Sequence, residues 1–324
     1  MPEQRPGPAT GGHPASTVAI CIVTYQRPLW LGELLRSLTD ASLAVGPRYV
    51  PIVIVVDNDA AGSARAAVEA AIPRLPCRVL YQVEARRGIS HARNHAVAIA
   101  LAEGAAFVAF VDDDEVVTPG WLGELLAIQE IHGADIVSGP VVPRFDDGVP
   151  QWIIRGGFFA RARFPTGTVR RIGATNNCLI SGRLFDGRSE PFDARFAMTG
   201  GSDMHFFKQV ARAGGKIVWA DRAVVEEWVP RSRARIGWLL QRAYRGGNAF
   251  TLSERLLDRS GAWVVWRVAK GVGRTLQGAL ILLPSMLLGR APTVRALQKT
   301  ALGAGTLAAV LGHRYHEYRA VHGR

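Results

Sequence analysis

Three consecutive carboxylates, Asp112-Asp113-Asp114, follow directly on the apolar run Ala105-Ala106-Phe107-Val108-Ala109-Phe110-Val111. Seven small or apolar residues read as a buried strand, and acids at its end cannot share the strand's dry surroundings. Burial disfavours each charge and neighbouring charges repel one another, so something must neutralise them. A hard divalent cation with oxygen ligands is the simplest agent, and magnesium or manganese would complete its shell with substrate phosphates. The other reading is an acidic turn facing solvent, ahead of a helix that Pro119 could open. The triplet alone does not choose between them.

The surrounding elements narrow the choice. Residues 18–23 form a near-continuous apolar run, as expected for a strand covered on both faces. Pro28 opens a helical pattern with Leu31, Leu34, Leu35 and Leu38 on one stripe. A second strand at 52–56, an Ala-rich helix over about 61–72, a third strand at 79–81 and a helix over 89–103 lead to the strand before the triplet. This alternation predicts an α/β fold with a mostly parallel sheet and right-handed crossovers. Ligands of such sheets sit at the carboxyl ends of the strands. Thr24 and Tyr25 end the first strand, Asp57, Asn58 and Asp59 the second, Glu84 follows the third, and the triplet ends the fourth. Polar groups therefore gather on one rim, as a bound nucleotide or sugar requires. A GxGxxG turn after the first strand and a Walker loop are both absent, which argues against a dinucleotide oxidoreductase and a phosphate-loop NTPase.

Beyond Pro119 the pattern predicts a helix over 120–132, a strand at 136–138 and a loop-rich stretch over 140–173. Within that stretch Gly156-Gly157-Phe158-Phe159 reads either as a substrate-covering loop or as plain surface. A strand follows at 175–180, then Gly200-Gly201-Ser202-Asp203 before an amphipathic helix, and a strand at 216–219.

A hydrophobic content of 48% with 20% charged residues describes a packed protein. The exception is the Pro- and Gly-rich start, 1–16, read as a loose tail without a signal peptide. Cys21, Cys77 and Cys178 lack CxxC spacing and read as reduced, buried thiols of a cytosolic protein. The net charge of +12 is unevenly placed: residues 229–324 hold 16 of the 39 Lys+Arg and only 3 of the 27 Asp+Glu. The remaining 228 residues are close to neutral, with 23 basic against 24 acidic side chains. The basic third predicts a contact with an anionic surface, membrane or nucleic acid.

The ordered set Val-Thr-Tyr-Gln-Arg-Pro at 23–28, Val-Asp-Asn-Asp at 56–59, Ala-Arg-Asn at 92–94, Phe-Val-Asp-Asp-Asp at 110–114 and Gly-Gly-Ser-Asp at 200–203 resembles family 2 glycosyltransferases of the GT-A fold. The likeness is strongest to bacterial succinoglycan and exopolysaccharide glucosyltransferases, and covers about 17–250. It implies a GT-A catalytic domain over 17–230, followed by a helical, basic region over 231–324. The implied activity is inverting, non-processive transfer of a sugar from a nucleotide-diphosphate sugar, with UDP-glucose as the family-based guess. The implied acceptor is a hydroxyl of a lipid-linked oligosaccharide, or directly a polyprenyl phosphate.

The resemblance assigns Asp203 as the base. It gives Asp112 and Asp114 to a Mn2+ or Mg2+ ion, Asp112 also to the nucleotide ribose, and leaves Asp113 as either a substrate or a structural carboxylate. Asp57 matches the acid that contacts the nucleotide base, with an N-cap as its alternative. Thr24 and Tyr25 are expected to frame the base, Arg27 and Arg93 to reach phosphate, and Gly201 to admit the acceptor. Two departures stand out: Ser202 replaces a common glutamate, and Glu226 replaces a common histidine near the metal and becomes a candidate ligand. Trp228 is a candidate sugar-stacking residue.

The resemblance also bears on the basic third. The processive synthases carry Gln-x-x-Arg-Trp, which Gln241-Arg242-Ala243-Tyr244-Arg245 fails to match. Arg242 and Arg245 are candidates for a diphosphate or lipid headgroup. The apolar runs 275–289 and 300–312, of 15 and 13 residues, fall short of the roughly 20 needed to span a bilayer. Pro284 is expected to interrupt the first. With Arg267, Lys270 and Arg274 on one helical face, they read as interfacial helices on an anionic membrane, and the alternative is packing on the catalytic domain or in a homodimer. No aromatic-rich RNA motif or helix-turn-helix supports nucleic-acid binding. The expected place is the inner face of the bacterial cytoplasmic membrane.

Overall fold

The computed structural model describes residues 15–258 and 260–319. The tail predicted for 1–16 therefore lies almost wholly outside the described residues, and Ser16 already begins the first strand. In chain order the elements begin with β1 (Ser16–Thr24), α1 (Pro28–Ser37), β2 (Tyr49–Asp57), α2 (Arg65–Ala71), β3 (Arg78–Val83), α3 (Ile89–Ala102) and β4 (Ala105–Val111). They continue through β5 (Glu115–Val117), α4 (Trp121–His132), β6 (Ile136–Ser138), β7 (Val141–Phe145), α5 (Gln151–Arg155), β8 (Val169–Arg170), β9 (Asn177–Ser181), α6 (Ser202–Arg212), β10 (Ile217–Trp219) and β11 (Val225–Val229). Three long helices follow: α7 (Ile236–Leu257), α8 (Gly261–Leu287) and α9 (Arg290–Val310).

The main sheet has the order β3-β2-β1-β4-β9-β6-β10-β8. Its first four strands are parallel, and β9 then runs antiparallel between β4 and β6. β1 explains the continuous apolar runs: Val18, Ile20 and Ile22 enter one core with α1 and α4, while Ala19 and Cys21 enter a second core with α3 and α6. Period-two alternation feeds both faces, so a polar residue has no place until the strand ends. Thr24 pairs with Asp57 and Cys21 with Phe110, so β1, β2 and β4 finish on one rim. Of the cysteines, Cys21 and Cys178 are buried as expected and Cys77 is partly exposed.

A three-stranded sheet, β5-β11-β7, starts immediately after the triplet and sets Glu227 opposite Glu115. A third core joins Val149, Ile153, Phe159 and Val229 to Leu239 and Val294. Phe159 is only 4% exposed there, so this end of the Gly156–Phe159 stretch is anchored in the core shared with the C-terminal helices, while Gly157 remains exposed.

α8 and α9 form an antiparallel hairpin whose crossing depends on glycine. A Cβ at Gly303 would lie 2.6 Å from the Gly271 carbonyl oxygen, and one at Gly278 would lie 2.6 Å from the Thr300 nitrogen. α8 continues through Pro284 to Leu287, contrary to the expected interruption. The proline falls in the last turn, where the unmatched carbonyl belongs to outward-facing Leu280 and can be hydrated. Among the described residues no helix is long and apolar enough to cross a membrane.

Candidate active site

The rim opens into a cavity of about 560 Å³ lined by Thr24, Tyr25, Arg27, Asn58, Arg93, the acidic triplet, the 199–203 loop, and side chains from β11 and α7. The triplet is built by its neighbours. Glu115 accepts from the Asp112 amide at 3.0 Å and from Asn176 at 3.1 Å, closing the turn after β4. Asp113 accepts from the Thr24 hydroxyl at 2.8 Å and from Arg27 at 2.9 Å, tying the triplet to the end of β1. Asp114 accepts from Arg233 at 2.8 Å and from Arg27 at 3.4 Å. Burial alone would raise Asp114, but Arg233 and Arg27 hold it below the usual carboxylate range.

Asp112 differs. Among the described residues its carboxylate has no hydrogen-bond or ion-pair partner, and it lines the cavity. Burial pushes it up to about 7, with Arg93 opposing and the charges of Asp114, Asp113 and Asp203 adding. The charge problem of the triplet thus has a mixed solution: guanidinium groups neutralise two acids and leave the third facing the cavity. The expected direct metal ligation by Asp114 is narrowed to Oδ1, because Arg233 and Arg27 both bond Oδ2. Among the described residues no three His, Cys, Asp or Glu side chains come together to hold a metal. The residues present fit a cation held by Asp112 and otherwise by substrate oxygens.

β11 corrects two further expectations. Strand alternation turns Glu227 into the cavity, where it pairs with Arg161 and, at 3.5 Å, with Arg233. Glu226 and Trp228 consequently face the other way. Glu226 meets the exposed Arg144 at 3.5 Å, and Trp228 lies beneath that guanidinium at 4.3 Å and edge-on to Trp30. Glu226 is therefore no cavity ligand, and Trp228 does not border the cavity.

Asp57 and Glu84 lie behind the wall. Asp57 accepts from the amides of Asp59 and Ala64, at 3.0 and 2.7 Å, and from the Tyr81 hydroxyl at 2.9 Å, which organises the turn into α2. Glu84 holds the amide and guanidinium of Arg86. Asn58 is the member of this group on the cavity itself, and its Oδ1 accepts from the Gly88 amide at 2.7 Å. Arg87 lies over the Tyr25 ring at 4.9 Å at the same edge.

Gly200 and Gly201, which line the same cavity, have φ of 73° and 93°, conformations that a side chain resists. They turn the chain so that α6 starts at the cavity and Asp203 stands in its first turn, half-exposed, accepting from the Met204 amide at 2.8 Å. The helix N-terminus favours a carboxylate there. Ser202 is buried and accepts from Arg93 at 3.3 Å, so it fixes that guanidinium and does not face an acceptor. Arg242 lies over the stacked rings of Phe159 and Trp238, 5.6 and 5.4 Å from their centroids, and burial pushes it down to about 10. Among the described residues neither Arg93 nor Arg242 has a carboxylate within ion-pair distance, leaving two cations on the wall for an anionic ligand.

A largely parallel sheet whose strand ends carry a cationic wall and an open carboxylate, with a second carboxylate at a helix start on the same cavity, has the GT-A-like architecture of nucleotide-sugar glycosyltransferases. The glycosyl transferase family 2 model matches residues 19–192, and the chain belongs to that family. It is 34% identical over 297 residues to the succinoglycan biosynthesis protein ExoM of Rhizobium meliloti, covering 91% of this chain and 93% of that protein. The crystal structure of S. aureus TarS superposes with a TM-score of 0.50 at 16% identity, over 90% of this chain and 55% of TarS. Residues 1–349 of TarS in complex with UDP-GlcNAc give 0.48 at 16% identity, over 93% of each chain.

Proposed function

We propose that the protein is an inverting, metal-dependent, non-processive hexosyltransferase of exopolysaccharide or cell-surface glycan assembly. It takes the sugar of a nucleotide-diphosphate donor, UDP-glucose, to a hydroxyl of a lipid-linked oligosaccharide. The observation that carries the reading is the presence of Asp112 and Asp203 on one cavity that is also lined by Arg93 and Arg242. Asp203 removes the proton of the acceptor hydroxyl as its oxygen attacks the anomeric carbon from the face opposite the diphosphate. The bond from that carbon to phosphate oxygen breaks, and the electron pair leaves on the nucleoside diphosphate. Arg93 and Arg242 meet the growing charge in a partly dry site, where such pairing is strongest. Mn2+ or Mg2+ would be held by Asp112 and the diphosphate, and supplies further neutralisation of the leaving group. Tyr25, Arg87 and Asn58 border the end of the cavity suited to the base.

Calorimetric titration with UDP-glucose is expected to give binding that weakens by about tenfold or more when EDTA replaces manganese. In Asp112→Asn the two conditions should converge. Equal affinity in both conditions for the wild-type chain would remove the metal from the reading.

The acceptor's lipid places the enzyme at a membrane, and α8 offers the contact. Leu276, Leu280, Leu283 and Leu287 are 57–90% exposed on its outer side, and the exposed Lys270 precedes them on the same helix, in the basic third of the chain. Apolar area flanked by cations suits an anionic bilayer surface. Arg267 is not part of that face: it is buried, paired with Glu254 and set over Phe250. The double variant Leu280→Glu/Leu283→Glu should bind phosphatidylglycerol-containing vesicles at least about tenfold more weakly than the parent, since each leucine buried is worth roughly 1.5–3 kcal/mol. A parent that ignores vesicles but dimerises through this face would give the helix to a homodimer instead.

A further inference from the structure

A segment that follows α9 enters the cavity. After α9 it crosses back over α7, where the Tyr315 amide donates to Asn248 Oδ1 at 3.0 Å and Asn248 Nδ2 donates to the His313 carbonyl at 2.9 Å. Tyr244 meets His313 and Tyr315 edge-on, with centroids 6.3 and 6.0 Å away, and Gln241 bonds the Tyr315 hydroxyl. Beyond this fastening, Glu317 pairs with Arg245, and the Tyr318 amide donates to the Met198 carbonyl at 3.2 Å. Arg87 donates to the Tyr318 carbonyl. Both Glu317 and Tyr318 line the cavity. The Tyr318 ring packs on the turn before Asp203, with a Cβ built at Gly200 falling 3.6 Å from its Cε2. Tyr318 is half-buried on the same cavity wall as Arg93, Arg245, Asp112 and Asp203.

Two substrate-like groups are thus held in the site by the polypeptide itself. A carboxylate sits on a wall arginine, as a phosphate could, and a polar six-membered ring lies on the turn before Asp203 in the cavity that Asp112 and Asp203 line. We propose that residues 313–319 are an intrasteric strap, with Tyr318 filling the sugar position and Glu317 an anion position, displaced when the donor and acceptor bind. This rests on the donor reading above. The free enzyme is then held closed to the bare nucleotide sugar, and turnover requires an exchange of Glu317 for phosphate on Arg245. A ligand that must displace a strap binds with an apparent Kd multiplied by the inverse of the open fraction, so a site open one-tenth of the time loses about tenfold.

The test uses the full chain and UDP-glucose with manganese. Tyr318→Ala should tighten binding by about tenfold, while Tyr318→Phe, which keeps the ring on Gly200, should match the wild type. In the wild type, saturation with UDP-glucose should speed hydrogen exchange at the Tyr315 and Tyr318 amides. Unchanged or weaker binding by Tyr318→Ala, or slower exchange on saturation, would overturn the strap and leave the donor site standing. Absence of binding by both the wild type and Tyr318→Ala would overturn the strap together with the donor reading.

Discussion

Asp203→Asn is expected to lower kcat for sugar transfer by about 10³-fold while leaving the Kd for UDP-glucose within about twofold of wild type. Asparagine keeps the shape of the side chain and an oxygen to accept the Met204 amide, so the start of α6 is preserved. It cannot take a proton. Asp203 is half-exposed and lines the cavity together with Arg93 and Arg242, and the substitution leaves both of those guanidinium groups in place for the diphosphate. The competing role, a carboxylate that merely caps a helix, predicts another result. Loss of such a favourable charge costs about 0.3–1 kcal/mol of stability and nothing in turnover. Steady-state kinetics beside a thermal melt separate the two: a lowered melting temperature with normal kcat would move the base elsewhere.

The parts legible in the sequence were those governed by local periodicity. Alternating apolar strands and helices gave the mostly parallel sheet, and the polar residue after each strand marked the rim, because a strand buried on both faces admits no charge until it ends. The Gly200-Gly201 pair before Asp203 was legible for the same reason, since two adjacent glycines ahead of an amphipathic helix signal a forced turn. What sequence could not supply was partnership at a distance. Arg233 reaches Asp114 across 119 residues, and nothing around Pro230 announces it. Without that pairing the triplet looked like a vacancy for metal at both outer positions. On β11 a resemblance to a histidine position drew attention to Glu226, while the alternation of the strand turns Glu227 inward; only its register against β5 decides the face. Arg161 and Tyr318 likewise arrive from a loop and from the segment after α9, neither of which carries a periodic signal.

Asp114→Asn should lower stability by roughly 3 kcal/mol in metal-free buffer, a cost set by the ion pairs it makes. The Asp114 and Arg233 side chains are 8% and 9% exposed, so removing one charge leaves the other desolvated without its main counterion. Glu227 at 3.5 Å from Arg233 and Asp113 at 2.9 Å from Arg27 soften the loss, which places it at the low end of the range for a broken buried pair. Arg233→Met should cost at least as much, because Asp114 would retain only the longer 3.4 Å contact to Arg27. Two variants in contact do not add, so the double variant should recover part of the sum as a favourable coupling. Urea unfolding with EDTA present measures all four corners of this cycle. A metal-ligating Asp114 would behave differently: its replacement would leave metal-free stability unchanged, and the loss would emerge only when manganese and nucleotide sugar are added. The same cycle therefore decides whether the third acid of the triplet is structural, serving to lock the segment after β11 onto the rim, while Asp112 alone meets the substrate complex.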